Sequence, residues 1–237
     1  MSSKINSLSP PIPCNFYTKK PKLRRRNTVI FSSSTSSEKQ PKTIETPTTE
    51  TYTVSFKTER ACKLGISRYP DFDYDAEGGI GNGSGTKVTD NQANNDLLVS
   101  FDPETLYIPP LTSSTTKFLG FPLPPLLKID IVPEAFQGSI NLESGKVDLE
   151  FKAKFLFSAG GLYKAPPLLV KTVLTSEESK GTMKSGRGKR LDEEGKCRLV
   201  GVATVDPIDD FLMNSFLGLP TECLADLNAV ISISSSS

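Results

Sequence analysis

The sequence predicts a mainly β protein, in which an antiparallel sheet forms a sandwich or a curved partial barrel and one main helix lies near the C-terminus. Residues Lys146–Phe157 alternate between apolar and polar side chains almost without a break, as in a long strand that buries one face. Shorter stretches of the same alternation lie before and after it. Apolar residues recur at helical spacing in one well-marked place, residues 207–218.

In the first half of the chain, strand patterns alternate with segments rich in turn residues. Tyr52–Lys57 has the alternation of a half-buried strand, and Leu64–Tyr74 is a second extended stretch. Gly78–Asn95 contains five glycines among Asn, Ser and Asp, which predicts a flexible loop. Leu97–Ile108 is again apolar, with a turn expected at Asp102-Pro103.

The segment Pro109–Pro125 is expected to be neither a regular helix nor a central strand. Its five prolines fix the backbone and remove hydrogen-bond donors, yet it is also rich in Leu and Phe. We therefore expect an ordered apolar connection that covers a core or lines the mouth of a cavity. The candidate ligand or partner surface consists of Phe118, Phe121, Leu123 and Leu126.

The second half of the chain carries the strongest strand signal. Ser139–Leu142 and Lys146–Phe157 are expected to form a hairpin through a turn at Ser144-Gly145. In the second arm the apolar residues from Val147 to Phe157 share one face. Further strands are predicted at Leu168–Thr175, at Cys197–Val205, more weakly within Lys180–Leu191, and as a short final strand at Ala229–Ile233.

The helix is predicted from its ends as well as from its spacing. Asp206 is a suitable N-cap and Pro207 suits the first helical position, while Gly218 and Pro220 end the helix. Core packing is expected for its apolar face. That face would consist of Ile208, Phe211, Leu212, Phe216 and Leu219, and Met213 and Leu217 would widen it, so that the helix is buried on most sides or packs on a partner. A membrane-surface or dimer contact is the alternative.

The N-terminal segment has the composition of an organelle transit peptide. No Asp or Glu occurs before Glu38, whereas the same stretch carries seven Lys and Arg and nine Ser. Prolines near its start disfavour an amphipathic helix, which favours plastid over mitochondrion. An ordinary basic tail or a nuclear address at Lys19–Arg26 remains the alternative. We predict a transit peptide over 1–37, a disordered linker over 38–51, a single β-rich domain over 52–233 and a serine tail over 234–237.

Charge and hydropathy exclude several classes of partner. The whole chain has a net charge of +1, but subtracting the seven N-terminal bases from 28 leaves 21 against 27 acidic residues. A mildly acidic domain is not a general nucleic-acid binder. No apolar run approaches the roughly 18 residues of a membrane-spanning helix. The expected location is the chloroplast stroma, either free or peripheral to a membrane.

The absence of histidine excludes several catalytic chemistries at once. Without it, Ser-His-Asp and Cys-His catalysis and histidine-ligated zinc are ruled out. Asp71, Asp73, Asp75 and Glu77 have the spacing of oxygen ligands, but the series lacks the glycine and the final Glu of a calcium loop, so an acidic strand face is favoured. We expect no metal site and no cofactor.

Two further sets of residues are weighed as sites. Lys184, Arg187, Lys189 and Arg190 form a basic patch that could hold an anionic headgroup or a phosphate, although a solvated strand and turn explains it as well. Cys62, Cys197 and Cys223 lack a CxxC pair and are expected to be buried thiols, with a redox-regulated pair as the alternative.

The sequence leaves three classes of function open. The leading one is a non-catalytic plastid protein that binds an apolar ligand (a lipid, pigment or isoprenoid) or a partner associated with the thylakoid or envelope membrane. The second is a structural or assembly factor with a solid core and no ligand. The third is an isomerase- or cyclase-type enzyme that uses carboxylates and lysines in an apolar cavity. A cavity lined by Leu, Ile and Phe would distinguish the first from the second, and a buried charged pair within it would indicate the third.

Overall fold

The structure, a computed structural model, describes residues 49–88 and 95–235. The expected transit peptide, most of the expected linker and the last two residues lie outside this range. Strand structure begins at Thr49, slightly before the Tyr52 at which the alternation of the sequence starts. No helix within the described ranges is long and apolar enough to cross a membrane.

Fifteen strands and one helix make up the described part of the chain. The strands are β1 (Thr49–Thr58), β2 (Cys62–Ile66), β3 (Phe72–Tyr74), β4 (Ile80–Val88), β5 (Asp96–Phe101), β6 (Thr116–Phe118), β7 (Phe121–Pro122), β8 (Leu127–Asn141), β9 (Val147–Ala159), β10 (Tyr163–Lys164), β11 (Leu168–Thr175), β12 (Glu178–Lys180), β13 (Ser185–Arg187), β14 (Lys196–Val205) and β15 (Thr221–Ser235). The helix α1 spans Phe211–Leu217.

The large sheet curves until it forms a partial ring, which confirms the mainly β, antiparallel fold class. Its strands pair in the order β1, β4, β5, β8, β9, β11, β14 and β15, and β15 pairs again with β1. A branch of β2, β3, β6 and β7 continues from β15. The short strands β12 and β13 form a separate hairpin.

One joint of the ring, between β11 and β14, has the shortest ladder of paired residues and is here called the seam. Ten residue pairs join β14 to β15, whereas only Thr175 and Val200 are paired across the seam. Beyond that pair the two strands remain adjacent, and two side-chain hydroxyls, one from β11 and one from β12, bond the backbone of Val202 in β14. Thr172 Oγ1 donates to the carbonyl oxygen of Val202 over 2.8 Å, and the Val202 amide donates to Ser179 Oγ over 3.0 Å.

The predicted long hairpin is confirmed as β8 and β9. Val147, Leu149 and Ala153 are fully buried on the inner face of β9, as the alternation predicts. On the outer face, Lys152 and Lys154 both form ion pairs with Glu134 of β8. The alternation of the sequence therefore gives the correct inward and outward faces of this strand.

The prediction of a flexible loop over Gly78–Asn95 is wrong for the described residues up to Val88, which include strand β4. Gly81, Gly83 and Gly85 lie on the face that β1 and β5 fill with large side chains. A Cβ atom on Gly85 would lie 2.9 Å from Leu97 Cδ2, and one on Gly83 would lie 2.9 Å from the Cα of Phe101. The glycines allow close packing between strands rather than flexibility.

The predicted helix exists but begins at Phe211 rather than at Pro207. Its N-cap is Asp210, whose carboxylate accepts a hydrogen bond from the Met213 amide over 2.8 Å, and Asp206 lies outside it. The expected apolar face is too wide, because Met213 and Leu217 are its only buried members within the helix, whereas Phe211 is 88% exposed. Seven residues make only about two turns, so a single narrow stripe reaches the core.

The last strand is longer than the predicted Ala229–Ile233, because β15 has partners along its whole length. It pairs with β14 on one side, and with β2 and then β1 on the other. Asp226 interrupts the apolar pattern in the sequence, but its carboxylate binds the Arg198 guanidinium of β14.

The interior of the partial ring has two differently filled halves. One half is a packed core in which the ring of Phe136 lies 5.0 Å from that of Phe56 and 4.8 Å from that of Phe101, measured between centroids. In the other half the strands and their connections surround a cavity. The packed core forms the floor of this cavity.

Candidate functional site

The cavity has a volume of about 500 Å³ and walls that are almost wholly apolar. Side chains of β2, β8, β9, β11, β14, β15 and α1 line it, together with the proline-rich connection between β5 and β8. No lining residue from the described ranges is charged. This volume lies within the range of small-molecule binding sites, which are mostly apolar concave pockets.

The floor of the cavity lies where the packed core ends, at Phe151. This side chain lines the cavity and also makes an edge-to-face contact with Phe136 of the core, at 5.9 Å between ring centroids. The wall at the seam is formed by small residues, Gly201 and Ala203. A Cβ atom on Gly201 would lie 2.8 Å from Thr172 Oγ1, so a larger residue there would fill space next to the cavity.

The mouth of the cavity is marked by residues that line it and are also exposed to solvent. Leu119 and Phe121, from the β6–β7 hairpin, are 65% and 75% exposed. Phe216 of α1 lies at the mouth as well and packs against Tyr69 and Phe157, at 5.8 Å and 6.2 Å between ring centroids. The β6–β7 hairpin and the helix therefore both contribute to the opening.

The structure brings three of the four candidate apolar residues to the cavity. Phe118, Phe121 and Leu123 line it, and Phe118 is fixed by a ring contact of 4.7 Å with Phe72. Leu126 is exposed and lies outside the lining, where its carbonyl oxygen accepts a hydrogen bond from the Gly160 amide.

The candidate basic patch lies on β13, just before it and just after it, and three of its four members are paired with acids. Three separate carboxylates bind these bases, so the patch does not converge on one site. The ion pairs are Lys184–Asp71 at 2.7 Å, Lys189–Asp192 at 3.3 Å and Arg190–Glu177 at 2.5 Å. Arg187 has no ion pair with any residue that the structure describes.

The Lys184–Asp71 pair lies against Gly65 of β2, but on the outer face of the wall. A Cβ atom on Gly65 would meet both charged groups. The neighbours of Gly65 in the strand, Leu64 and Ile66, line the cavity, and successive residues of a strand point to opposite faces. The charge of this pair is therefore separated from the interior by the strand itself.

The four carboxylates from Asp71 to Glu77 are not gathered into a metal site. Asp71 binds Lys184, while Asp75 and Glu77 both bind Arg60. Within residues 49–88 and 95–235, no group of three or more His, Cys, Asp and Glu side chains could hold a metal ion.

Glu222 lies next to the cavity wall on its outer side and fixes the hairpin of β12 and β13. Its carboxylate accepts hydrogen bonds from the backbone amides of Thr182, Met183 and Lys184, over 2.6, 2.8 and 2.9 Å. These donors hold the pKa of Glu222 at about 2, well below its usual range. Because Glu222 points outward, its neighbours Thr221 and Cys223 point inward and line the cavity.

Four lining residues carry polar side chains, and only two of these are hydrogen-bonded within the described structure. Tyr69 donates to the carbonyl oxygen of Phe216 over 2.5 Å, and Thr172 donates to that of Val202. The Thr221 hydroxyl has no partner among the described residues, although this residue is only 4% exposed. Cys223 is likewise a free thiol, and burial raises its pKa to about 11.

Sequence reasoning missed the part of the site contributed by β14 and β15. Gly201 and Ala203 alternate with larger residues in β14, and this alternation of small residues on an inward face was the available signal. Thr221 and Cys223 gave no such signal, because only the pairing of β15 shows which way they point.

Comparison with known proteins gives no further guide to this site. No protein-family model, curated protein or solved structure matches the chain.

Proposed function

We propose that this protein is a non-catalytic binder of an apolar small molecule, such as a lipid, a pigment or an isoprenoid. The observation that supports the proposal most is the cavity of about 500 Å³ without a charged lining residue in the described chain. At the roughly 30 Å³ that a water molecule takes in the liquid, this volume accommodates roughly 16 non-hydrogen atoms. A molecule of that size gains free energy by leaving water, at about 0.8 kcal/mol per buried methylene group.

The lining argues against the two other classes of function. An isomerase or cyclase of the kind considered would use carboxylates and lysines in the cavity, and the described lining contains neither. An assembly factor with a solid core would fill the half of the ring that the cavity occupies. Both classes remain outcomes of the test below.

The test compares two variants whose changes lie on opposite faces of one strand. Ala203 is buried and lines the cavity, whereas its neighbour Thr204 is exposed. The protein should bind one molecule of the neutral fluorescent dye N-phenylnaphthylamine per chain. Ala203→Phe should abolish this binding with the fold retained, and Thr204→Phe should leave it unchanged. Equal dye binding by the two variants would refute the proposal.

A second candidate function is docking to a membrane-associated partner, favoured by the exposed apolar side chains beside the mouth. Phe211 and Leu212 of α1 are both exposed, although they are large and apolar. If docking rather than ligand binding is the function, dye binding will be absent. Replacing both residues with Ser would then prevent cross-linking of the protein to membranes from its own compartment.

We propose the chloroplast stroma as that compartment. Support comes from the basic, serine-rich and acid-free composition of residues 1–37.

A further inference from the structure

We infer that the ligand enters the cavity as an uncharged molecule with one neutral oxygen, which forms a hydrogen bond with the hydroxyl of Thr221. This inference rests on the proposed function and narrows the class of ligand. Long-chain and isoprenoid alcohols and ketones belong to the class, and fatty-acid anions do not.

The exclusion of an anion follows from the polar groups of the wall. Burial of a carboxylate is unfavourable unless it is paired with a cation and hydrogen-bonded. Lys184 is engaged with Asp71 on the outer face of β2. Arg68, an exposed residue beside Tyr69, donates to the carbonyl oxygen of Ser215. No Lys or Arg of the described chain lines the cavity. A fatty acid would therefore have to lose its charge, or leave its carboxylate at the mouth.

The assignment of Thr221 follows from the satisfaction of the other polar groups. The hydroxyls of Tyr69 and Thr172 already donate to carbonyl oxygens of the protein. Thr221 faces the cavity, is almost wholly buried and has no hydrogen-bond partner among the described residues. The Thr221 oxygen is not fully enclosed by protein, so water can bond it in the empty cavity. A ligand that displaces this water leaves the hydroxyl unsatisfied unless the ligand supplies an oxygen. The Cys223 thiol, two residues along the strand, is a much weaker donor.

The wall itself should give ligand binding no pH dependence near neutrality. Its titratable groups are the phenol of Tyr69, which is engaged with Phe216, and the Cys223 thiol, whose burial keeps it protonated. Lys184 and Asp71 lie behind β2, and Glu222 points away from the cavity into the amides of residues 182–184. Any pH dependence should therefore belong to the ligand.

The experiment measures displacement of N-phenylnaphthylamine from the full chain by three matched probes: tetradecane, tetradecanol and tetradecanoate. At about pH 8, tetradecanol should bind roughly tenfold or more tightly than tetradecanoate, because only the latter is ionised. Tetradecanoate should bind more tightly as the pH falls toward the pKa of its carboxyl group, while tetradecanol binding should not change. Equal affinities at about pH 8 would overturn the exclusion of anions, while the dye signal would still support an apolar ligand.

Variants at Thr221 test the hydrogen bond. Thr221→Val keeps the shape of the side chain and removes the hydroxyl, so tetradecanol binding should weaken by roughly threefold to tenfold while tetradecane binding is retained. Thr221→Ser keeps the hydroxyl and should preserve the preference for the alcohol. If Thr221→Val binds neither tetradecanol nor tetradecane, its cavity is damaged. Thr221→Ser then tests the hydrogen bond, because loss of its preference for the alcohol would overturn the assignment. If Thr221→Val keeps the full preference for tetradecanol over tetradecane, the hydrogen bond is wrongly assigned to Thr221. If the unaltered protein binds no dye and no probe, the proposed function itself fails.

Discussion

The side chain of Glu222 connects the strand that lines the cavity to a hairpin on the outside of the ring. Three amide donors stabilise its carboxylate form and keep its pKa at about 2, against an ordinary value of about 4.3. A group with a lowered pKa in the folded state stabilises the fold above its ordinary pKa, and this contribution is lost as the pH falls toward the lowered value.

Glu222→Gln should therefore lower the thermal midpoint at neutral pH. The amide side chain cannot offer two acceptor oxygens to the three donors. The difference from the unaltered protein should shrink between about pH 5 and about pH 2, as the carboxylate of the unaltered protein becomes protonated. Thermal unfolding followed by circular dichroism measures both effects. Glu193→Gln, at an exposed position, is the control and should change the midpoint little at any pH. A pH-independent loss in Glu222→Gln would contradict the electrostatic explanation.

Glycines in this protein differ in how much space a side chain would find there, and Gly83 and Gly161 are opposite cases. A Cβ atom at Gly83 would approach the Ser100 carbonyl oxygen and the Cα of Phe101, both of which are backbone atoms. At Gly161 nothing lies within 4 Å of the same position. Gly83→Ala should reduce the free energy of unfolding by about 1–3 kcal/mol through overpacking. Gly161→Ala should stay within about 0.5 kcal/mol of the unaltered protein in urea titrations, and equal effects would mean that β4 is placed wrongly.

At the scale of the elements, the sequence predicts the strands in which apolar and polar side chains alternate. It misses the strands that lack this alternation and can be recognised only from their pairing with neighbouring strands. The pattern of β9 was sufficient, because apolar residues mark one face throughout. The inner face of β4 consists of glycines, so it has no apolar residues to alternate and resembles a loop. In α1, the sequence placed the N-cap at Asp206 rather than at Asp210, and it assigned apolar residues on most sides of the helix to the core, although only Met213 and Leu217 are buried.

The same reasoning explains how much of the candidate site the sequence could predict. Phe118, Phe121 and Leu123 were singled out because an apolar, proline-rich segment is unusual in itself. Thr221 was not singled out, since its place in the wall depends on its pairing with Val205 of β14. Sites assembled from distant strands are visible only once the order of the strands is known.

At the scale of the whole molecule, the N-terminal segment and the sheet are predicted to act independently. A fluorescent protein fused to residues 1–48 should enter chloroplasts, because the segment is basic and lacks acidic residues through Ser37. Accumulation of the fusion in the nucleus would instead support the nuclear address at Lys19–Arg26. A chain that begins at Thr49, the first residue of β1, should keep the thermal midpoint of the full chain. A clear decrease would show that the preceding residues contribute to the fold.

The seam has a mechanical consequence for the ring. Only Thr175 and Val200 pair across it, and one hydroxyl bond, from Thr172 to the Val202 carbonyl oxygen, also joins β11 to β14. The Val202 amide donates to Ser179, which belongs to β12. Side-chain packing therefore closes the ring here more than a backbone ladder does. We expect this joint to open at a lower free energy than the fully laddered joints of the ring.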